Sequence, residues 1–509
     1  MAFRREVSIV ALAAAAGVVL AATGVSAADL GGNCCADLEE RIAELEATTV
    51  RKGNRKVSLQ IYGQVSETIV WWNDGAEQNA YIVENDDLKN RVGFRGAAKI
   101  NNDWSAGFLM ELQIRAYRSS SANQLSLGAS NNVQIPAYNT QSVALRQANW
   151  YIDSTTWGRI TVGRSNDATN GLTDINLANP DGFTGLGVGY AFQGYFLRRS
   201  GSRGNAGLSS FTWRDAPLMR NGSGPASFGF SETGSGIKYT SPFFLGQSKS
   251  SGFRFDTLWA MDDYWSVALR YAEAFGAFRV AAGAGYAKNG TADRGQCSLG
   301  AVGSATNAAS GGSNPTLVAT NPAAAAGSNV DCTLVTGSFS VMHSPTGLYV
   351  SAGGGFLDDK GTKATAAQAS GLAFGARRPG IDDTNGVWFV QAGWEAKLNS
   401  LGATTFWGQV TQYETGFGLA NSLAQNLAAG DVLNSLGSTA LIGGAKTQIW
   451  GLGVSQEISA AAMTLYAGFH NVSADISLIS QSPTATVQRA RSNSIDDMQV
   501  FYSGATIKF

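Results

Sequence analysis

Charge is what this chain has least of. Asp, Glu, Lys and Arg make up 15% of its 509 residues, against roughly 25% in an ordinary soluble domain. Histidine is scarcer still: there are two, His343 and His470. Long apolar runs are also missing. After the first 28 residues no stretch has the length and hydropathy of a membrane helix, and the long uncharged segment 298–330 is Gly, Ser, Asn and Ala, a loop composition. Mean hydropathy is -0.06, which excludes a helical membrane protein. Glycine runs such as Gly353-Gly354-Gly355 have no following Lys-Ser/Thr, so they are not phosphate loops. No helix-borne basic patch suggests nucleic acid, and nothing implies a metal or cofactor.

What is present instead is glycine, 62 residues, and aromatic residues at 10%. Few charges, much glycine and many aromatics suit a β-barrel, whose average hydropathy hides the membrane because lipid-facing and lumen-facing residues alternate.

The first 27 residues read as a signal peptide. Arg4 and Arg5 precede an uncharged run, and Val25-Ser26-Ala27 is an A-x-A-like cleavage site. An uncleaved helical anchor is the rival reading. Segment 28–56 is expected to be periplasmic. Within it Leu38, Ile42, Leu45 and Thr49 recur at heptad-like spacing among Glu39, Glu40, Arg41, Glu44 and Glu46. That predicts a short amphipathic helix, marginal alone, which packs in an oligomer, lies on a barrel rim, or is simply solvated. Export permits disulfides. Cys297 and Cys332 bracket one loop-like segment and are expected to pair; metal binding is the rival, but no histidine lies near. Cys34 and Cys35 are adjacent and do not easily bridge each other.

From Val57 the period becomes two. Val57, Leu59, Ile61, Gly63 and Val65 face one way, and Ser58, Gln60, Tyr62 and Gln64 the other. Sixteen such segments follow, near 57–72, 91–100, 104–116, 143–153, 157–165, 235–242, 252–261, 264–273, 277–287, 333–343, 347–357, 386–398, 403–413, 446–458, 461–472 and 497–509. The last has Phe501, Ser503, Ala505, Ile507 and Phe509 on one face and ends on an aromatic residue. Connections after even segments are short, such as Asn101-Asn102-Asp103, whereas most after odd ones are long: 73–90, 117–142, 166–234, 288–332, 358–385, 414–445 and 473–496. Outer-membrane barrels sort their turns and loops this way. The expectation is an all-β, 16-stranded antiparallel transmembrane β-barrel over 57–509, with both ends in the periplasm and a short N-terminal periplasmic helix.

The run Cys34 to Thr49, its continuation Arg51-Lys52-Gly53-Asn54-Arg55-Lys56-Val57-Ser58-Leu59, the segment Trp71-Trp72-Asn73-Asp74-Gly75, the segment Asp262 to Tyr271 and the terminal Gly504 to Phe509 resemble the porin family of alphaproteobacteria. The resemblance implies a homotrimer of water-filled channels for passive diffusion of small hydrophilic solutes and ions, in contact with outer-membrane lipid and lipopolysaccharide. It also implies that the third external loop, 166–234, folds inward and narrows the pore.

Candidate constriction residues follow from charge and phase. The loop carries Asp167, Asp174 and Asp181; inward phases of early strands carry Arg91, Arg95, Lys99, Glu111 and Arg115, with Arg146 beside them. Carboxylates facing guanidinium groups would set a transverse field across the pore. The plainer reading is that these arginines hydrate the lumen and pair with Glu111. An enzyme is disfavoured: by phase His470 points inward, among Met463, Leu465, Ala467 and Phe469 pointing out, whereas an outer-membrane phospholipase needs its histidine at the lipid face. A substrate-selective channel, or a structural or adhesive surface barrel, is the alternative. On the segment from Val387, the residues Trp388, Val390, Ala392, Trp394, Ala396 and Leu398 are expected to face lipid, and Val387, Phe389, Gln391, Gly393, Glu395 and Lys397 a hydrated lumen.

Overall fold

The computed structural model describes residues 57–115, 117–125, 143–214, 233–260, 264–290, 332–359, 384–415, 427–480 and 488–509. The signal peptide, the expected helix, Cys34, Cys35 and Cys297 lie outside the described residues. No described helix is long and apolar enough to cross a membrane, which says nothing about strands.

The alternating segments form β1 (Gln60–Asn73), β2 (Gln78–Glu84), β3 (Arg91–Lys99), β4 (Trp104–Ile114), β5 (Val143–Ser154), β6 (Gly158–Asn166), β7 (Phe196–Arg198), β8 (Leu208–Thr212), β9 (Thr233–Thr240) and β10 (Gly252–Ala260). They continue as β11 (Tyr264–Phe275), β12 (Phe278–Asn289), β13 (Cys332–His343), β14 (Leu348–Asp359), β15 (Thr384–Ala396), β16 (Thr404–Thr415), β17 (Ala440–Ile458), β18 (Met463–Ser480), β19 (Arg489–Arg491) and β20 (Met498–Lys508). Sixteen of these, all but β2, β7, β8 and β19, make one antiparallel ring in chain order. Pairing of β20 with β1, from Lys508↔Gln64 to Gln499↔Asn73, closes it. Closure satisfies every strand edge, the condition lipid imposes on a spanning sheet.

Side-chain period two sorts the wall. On β1, Ile61, Val65 and Ile69 are exposed outward while Gln64, Ser66, Thr68, Val70 and Trp72 are buried inward. On β15, Trp388, Val390, Ala392 and Trp394 point out, and Val387, Phe389 and Gln391 point in. On β20 the inward residues are Met498, Val500, Tyr502 and Thr506, each buried.

Three segments differ from the sequence expectation. Residues 73–90 are not one open loop. Asn73 and Asp74 build a tight turn in which Asn73 Oδ1 accepts from Gly75 N (2.9 Å) and Asp74 Oδ1 from Glu77 N (2.9 Å). Gly75 has φ 92°, the left-handed region where glycine is unstrained. The chain then returns as β2 along the upper half of β1, dips inward over 85–90, and rejoins the wall as β3 along its lower half. Both β17 and β18 also run past the expected ends, to Ala440 and Ser480, pairing through a register shift at Ile442/Gly444. The outward residues near that end of the two strands, Lys446, Gln448, Asn471, Ser473 and Asp475, are polar; the apolar alternation ends where the membrane would, but the backbone ladder does not.

The described part, residues 167–214, of the long connection between β6 and β9, here called L3, folds inside the barrel. It packs an apolar cluster of Phe183, Leu186, Val188, Phe192, Tyr195, Leu197 and Trp213 against inward Val70, Trp72, Val387, Phe389, Ile449, Met498 and Val500. Fully burying each such side chain is worth about 1.5–3 kcal/mol, so L3 is part of the barrel's core.

Candidate functional site

L3 leaves the end of β6 and runs along the inner wall. Asp167 accepts from Tyr264 OH (2.5 Å) and Ser266 Oγ (3.1 Å) on β11, and Arg270 donates to the carbonyls of Ala168 (3.1 Å) and Asn170 (2.5 Å). Leu172 then seats over Gly283 and Gly285 on β12, where a Cβ on Gly283 would stand 2.7 Å from Leu172 Cδ2. Ser338 Oγ donates to Leu172 O (2.5 Å) and Leu177 N to Ser340 Oγ (3.1 Å), both serines on β13. Small inward residues on β12 and β13 thus form the groove that holds this stretch. Asn176 donates to Gln391 on β15 (2.5 Å), and Gln391 donates in turn to Gln409 on β16 (3.1 Å).

Further on, Phe183 O meets His470 Nε2 (2.9 Å) on β18 and accepts from Tyr502 OH (3.2 Å) on β20. A 3-10 turn, Gly185–Ala191, begins as Gly185 exchanges two bonds with the Gln409 carboxamide (2.8 and 3.1 Å). Among the described residues these contacts run from β11 to β20. In the ring of sixteen, β3–β6 stand opposite β13–β16.

That opposite wall is basic. Arg91 and Arg95 share the inward phase of Gly93, which pairs with inward Tyr62, and Lys99 follows on the same phase. Arg91 donates to Gln64 Oε1 (3.0 Å) and Arg95 to Gln60 Oε1 (2.8 Å), with the Arg95 guanidinium 5.2 Å from the Tyr62 ring centre. Arg115 lies just past β4 and approaches Gln113 Oε1 (3.5 Å). Arg146 is the extra residue at the β4–β5 register shift: Glu111 pairs with Gln147 and Leu112 with Leu145. A bulge re-aims its side chain, here to put Arg146 Nε 2.7 Å from Glu111 Oε1. Tyr62 OH donates to Glu111 Oε2 (2.9 Å), so that carboxylate, 4% exposed, is enclosed rather than open to water. Arg164 Nε donates to Arg146 O (3.1 Å).

The three loop carboxylates separate. Asp167 is 1% exposed against β11, and Asp181 is 7% exposed with Lys508 Nζ at 3.6 Å. Asp174 alone of the three is exposed. Inward Gln391 is 1% exposed beneath L3, not hydrated as expected. His470 is likewise inward but buried, stacked on Tyr502 at 5.4 Å. Residues 85–90 meet L3 from the other side: Lys89 Nζ lies 5.7 Å from the Tyr190 ring centre, and Asn85 donates to Tyr466 OH (3.0 Å). Sequence reasoning passed over Gln60, Gln64, Gln409 and Ser338. Alternation placed them inward, but nothing local distinguished a side chain that meets L3 from one that meets water.

Above this level, β7 and β8 form a small hairpin of L3. Arg198, on β7, is buried with Asp74 Oδ2 2.8 Å from its Nε and Glu77 Oε2 3.4 Å from its NH2. Burial pushes the Tyr195 phenol well above its usual range. Among the described residues no group of His, Cys, Asp and Glu has the arrangement of a metal site. Cys332, at the start of β13, is buried and disulfide-bonded.

Comparison with known proteins gives one family. The family model described as Gram-negative porin matches residues 8–379. No curated protein matches. Among solved structures, a loop L8 deletion mutant of OmpT, an outer membrane protein of Vibrio cholerae, is similar at 11% identity with TM-score 0.47, covering 89% of this chain and 100% of that one. An anion-selective porin from Comamonas acidovorans shows 12% identity, TM-score 0.47 and coverage of 89% and 100%. Salmonella typhi OmpF in complex with daunomycin shows 13% identity, TM-score 0.44 and coverage of 89% and 98%. Family and fold point to a channel rather than an enzyme. The chain belongs to the Gram-negative porin family, and is an outer-membrane β-barrel that forms a diffusion channel for small hydrophilic solutes and ions.

Proposed function

We propose that solutes cross through the half of the barrel left between L3 and the β3–β6 wall, with the narrowest stretch between Asp174 and the arginines of that wall. The observation that carries this is the course of L3: its wall contacts run from Asp167 on β11 to Phe183 on β20 and so fill the opposite half. Arg91, Arg95, Lys99, Arg115 and Arg146 line the path, Glu111 holds Arg146 in place, and Asp167 and Asp181 anchor the loop. A polar, oriented path favours hydrated solutes over lipophilic ones. Single-channel recording in planar bilayers tests it. Asp174→Trp should lower the conductance clearly, and an unchanged conductance would reject the placement of the narrow stretch.

We further read the chain as a homotrimer of the alphaproteobacterial branch, with a signal peptide over 1–27, a periplasmic segment over 28–56 and L3 (166–234) as the constriction loop. Supporting the trimer, Glu67 is exposed on the outer face of β1 between apolar Val65 and Ile69, held by Asn90 Nδ2 at 2.9 Å. An ionisable group facing lipid at mid-span is costly, and a neighbouring copy relieves that cost. Glu67→Leu should shift the ratio of trimer to monomer on semi-native gels; no shift would sink this face as the interface. Cys297 is taken as the partner of Cys332.

A further inference from the structure

We propose that the turn between β9 and β10 is a lipid-binding foot: Phe244 and Leu245 enter the periplasmic leaflet of the outer membrane, and Lys249 meets the phosphates of its phospholipids. The foot lies outside the barrel and takes no part in the solute path.

The short turns Asn101-Asn102-Asp103 and Ser154-Thr155-Thr156 are polar, whereas the turn after β9 begins Pro242-Phe243-Phe244-Leu245. Proline cannot donate to a ladder and is placed at bulges. Thr240 pairs with Asp256 but Phe244 with Phe253, so the β9 side carries one extra residue between them. Such a bulge re-aims the side chains beyond it. Here it moves Phe244 from the inward phase of Thr240 and Asp256 to the outward phase of Phe253. The two rings stack at 6.0 Å, and Phe253 packs on Tyr271 of β11 at 4.7 Å. Leu245 follows with φ 56°, a left-handed conformation that residues other than glycine rarely adopt. The turn enforces it. A Cβ on Gly246 would stand 2.0 Å from Ser251 O, so the chain passes close to itself, and Gln247 N donates to Glu273 Oε2 (3.0 Å) on β11. Backbone strain of this kind is found where a structure holds a side chain for binding. The side chain held here, Leu245, is 85% exposed, and Phe244 beside it is exposed too.

Height and position name the occupant. Gly252 pairs with Ala272, so the turn stands level with the last residues of β11, beside the apolar wall rather than below it. The outward residues around it are Phe255, Phe275, Phe278 and Trp157, all exposed. Phe275 pairs with Phe278 at the end of the next hairpin, and Tyr239 OH of β9 donates to Trp157 O (2.9 Å). Aromatic rings gather at the level of lipid headgroups, and Phe244 and Leu245 continue that belt without a break. The strands β3, β4, β5, β6 and β9 separate β10 from β1, so a copy seated on the Glu67 face would not cover the foot. Lys249 is exposed on the same turn. A lysine stem lies along apolar surface while its ammonium reaches polar headgroups. Glu273, which abuts the turn, accepts from the backbone N–H groups of Gln247 (3.0 Å) and Ala274 (3.2 Å).

The test is the depth of the turn in a bilayer. A nitroxide label is attached through Leu245→Cys, in a Cys34→Ser/Cys35→Ser background, and the full chain is reconstituted in vesicles of phosphatidylethanolamine and phosphatidylglycerol. Collisions with oxygen, which concentrates among acyl chains, should exceed those with a water-soluble nickel chelate severalfold. The same label through Asn102→Cys, on a polar turn, should show the reverse order. A label through Lys249→Cys should fall between the two. Should Leu245→Cys fold poorly, Lys249→Cys decides alone: nickel access below that at position 102 supports the foot, and equal access overturns it. Nickel access at position 245 as high as at 102 would mean that the turn stands in water, and overturns the proposal. Low access to both reagents would mean that protein covers the turn, a second copy or another chain, and overturns the assignment to lipid.

Discussion

Arg198 of L3 lies with its Nε 2.8 Å from Asp74 Oδ2, and both side chains are removed from water. The two residues are far apart in sequence, one on the hairpin of L3 and the other in the turn after β1. They lock the long-loop rim together: the backbone N–H of Asp496 donates to Arg198 O (3.0 Å), and Gln124 donates to Phe196 O (2.8 Å). Breaking a buried ion pair from one side leaves a stranded charge and costs about 3–5 kcal/mol, whereas replacing both partners with apolar groups is often neutral. Asp74→Ala should therefore loosen the L3 hairpin, seen as faster proteolysis within it on the folded barrel. Asp74→Leu/Arg198→Met should restore resistance. Equal sensitivity of the two variants would mean the pair does not hold the hairpin.

The Leu172 anchor is apolar and makes a separate prediction. Leu172 is fully buried in the groove floored by Gly283 and Gly285. Truncating such a side chain costs about 2–5 kcal/mol when the site cannot collapse. That cost falls on the attachment of L3, not on the strand ladder. Leu172→Ala should keep the barrel's resistance to unfolding in detergent while increasing current noise and lowering the voltage at which the channel closes. Quiet, wild-type traces would show that Ser338, Ser340 and Gln391 suffice to hold L3.

How far the sequence reaches can be seen on single strands. On β15, the alternation of Trp388, Val390, Ala392 and Trp394 with Val387, Phe389 and Gln391 gave the right phase, because lipid on one side and protein on the other force period two. The same rule failed at Gln78–Glu84, where the polar start of β2 and the turn at Asn73-Asp74-Gly75 mimic an open loop. It was silent on what each inward residue meets. Gln391 and Gln60 look alike in sequence; one is covered by Asn176 of L3 and the other faces Arg95. One signal was available: Val387 and Phe389 are apolar on the inward phase of β15, where water alone would not favour them. Apolar residues on both phases mean that something covers the inner face, and here it is L3.

The short-turn rim carries a pH dependence. Asp103, in the turn after β3, accepts from Thr155 Oγ1 (2.5 Å), Ser154 Oγ (2.8 Å) and Thr156 Oγ1 (3.2 Å) of the next turn. The Thr155 hydroxyl first, then that of Ser154, holds its carboxyl below the ordinary Asp range. A depressed folded-state pKa stabilises above the unfolded value, near 3.9, and the contribution disappears as pH falls through the folded value. Urea midpoints of the folded barrel should thus decline more steeply below about pH 4 in the unaltered protein than in Asp103→Asn. Parallel pH profiles would show that the two turns are not coupled through this carboxylate.

Neighbouring positions on β15 give the sharpest contrast between lipid, L3 and water. Ala392 is exposed on the outer face between Val390 and Trp394, while Gln391 is buried on the inner face, bonded to Asn176, Gln409 and Tyr349. Ala392→Arg would set a guanidinium against acyl chains, at a cost of about 2–4 kcal/mol near the midplane. Its signature should be less folded barrel in lipid, with normal conductance in the channels that do form. Gln391→Arg meets no lipid. It forces a charge and extra volume beneath L3, displacing Asn176, so the barrel should still close but conductance and gating should change. Gln391→Ala removes the bonds without adding volume and should show a milder form of the same change. The two sites are adjacent in sequence and share a local strand propensity, so only their opposite faces can separate the outcomes. If Gln391→Arg lowers the folded fraction as Ala392→Arg does while leaving the current unaltered, then L3 does not rest on Gln391.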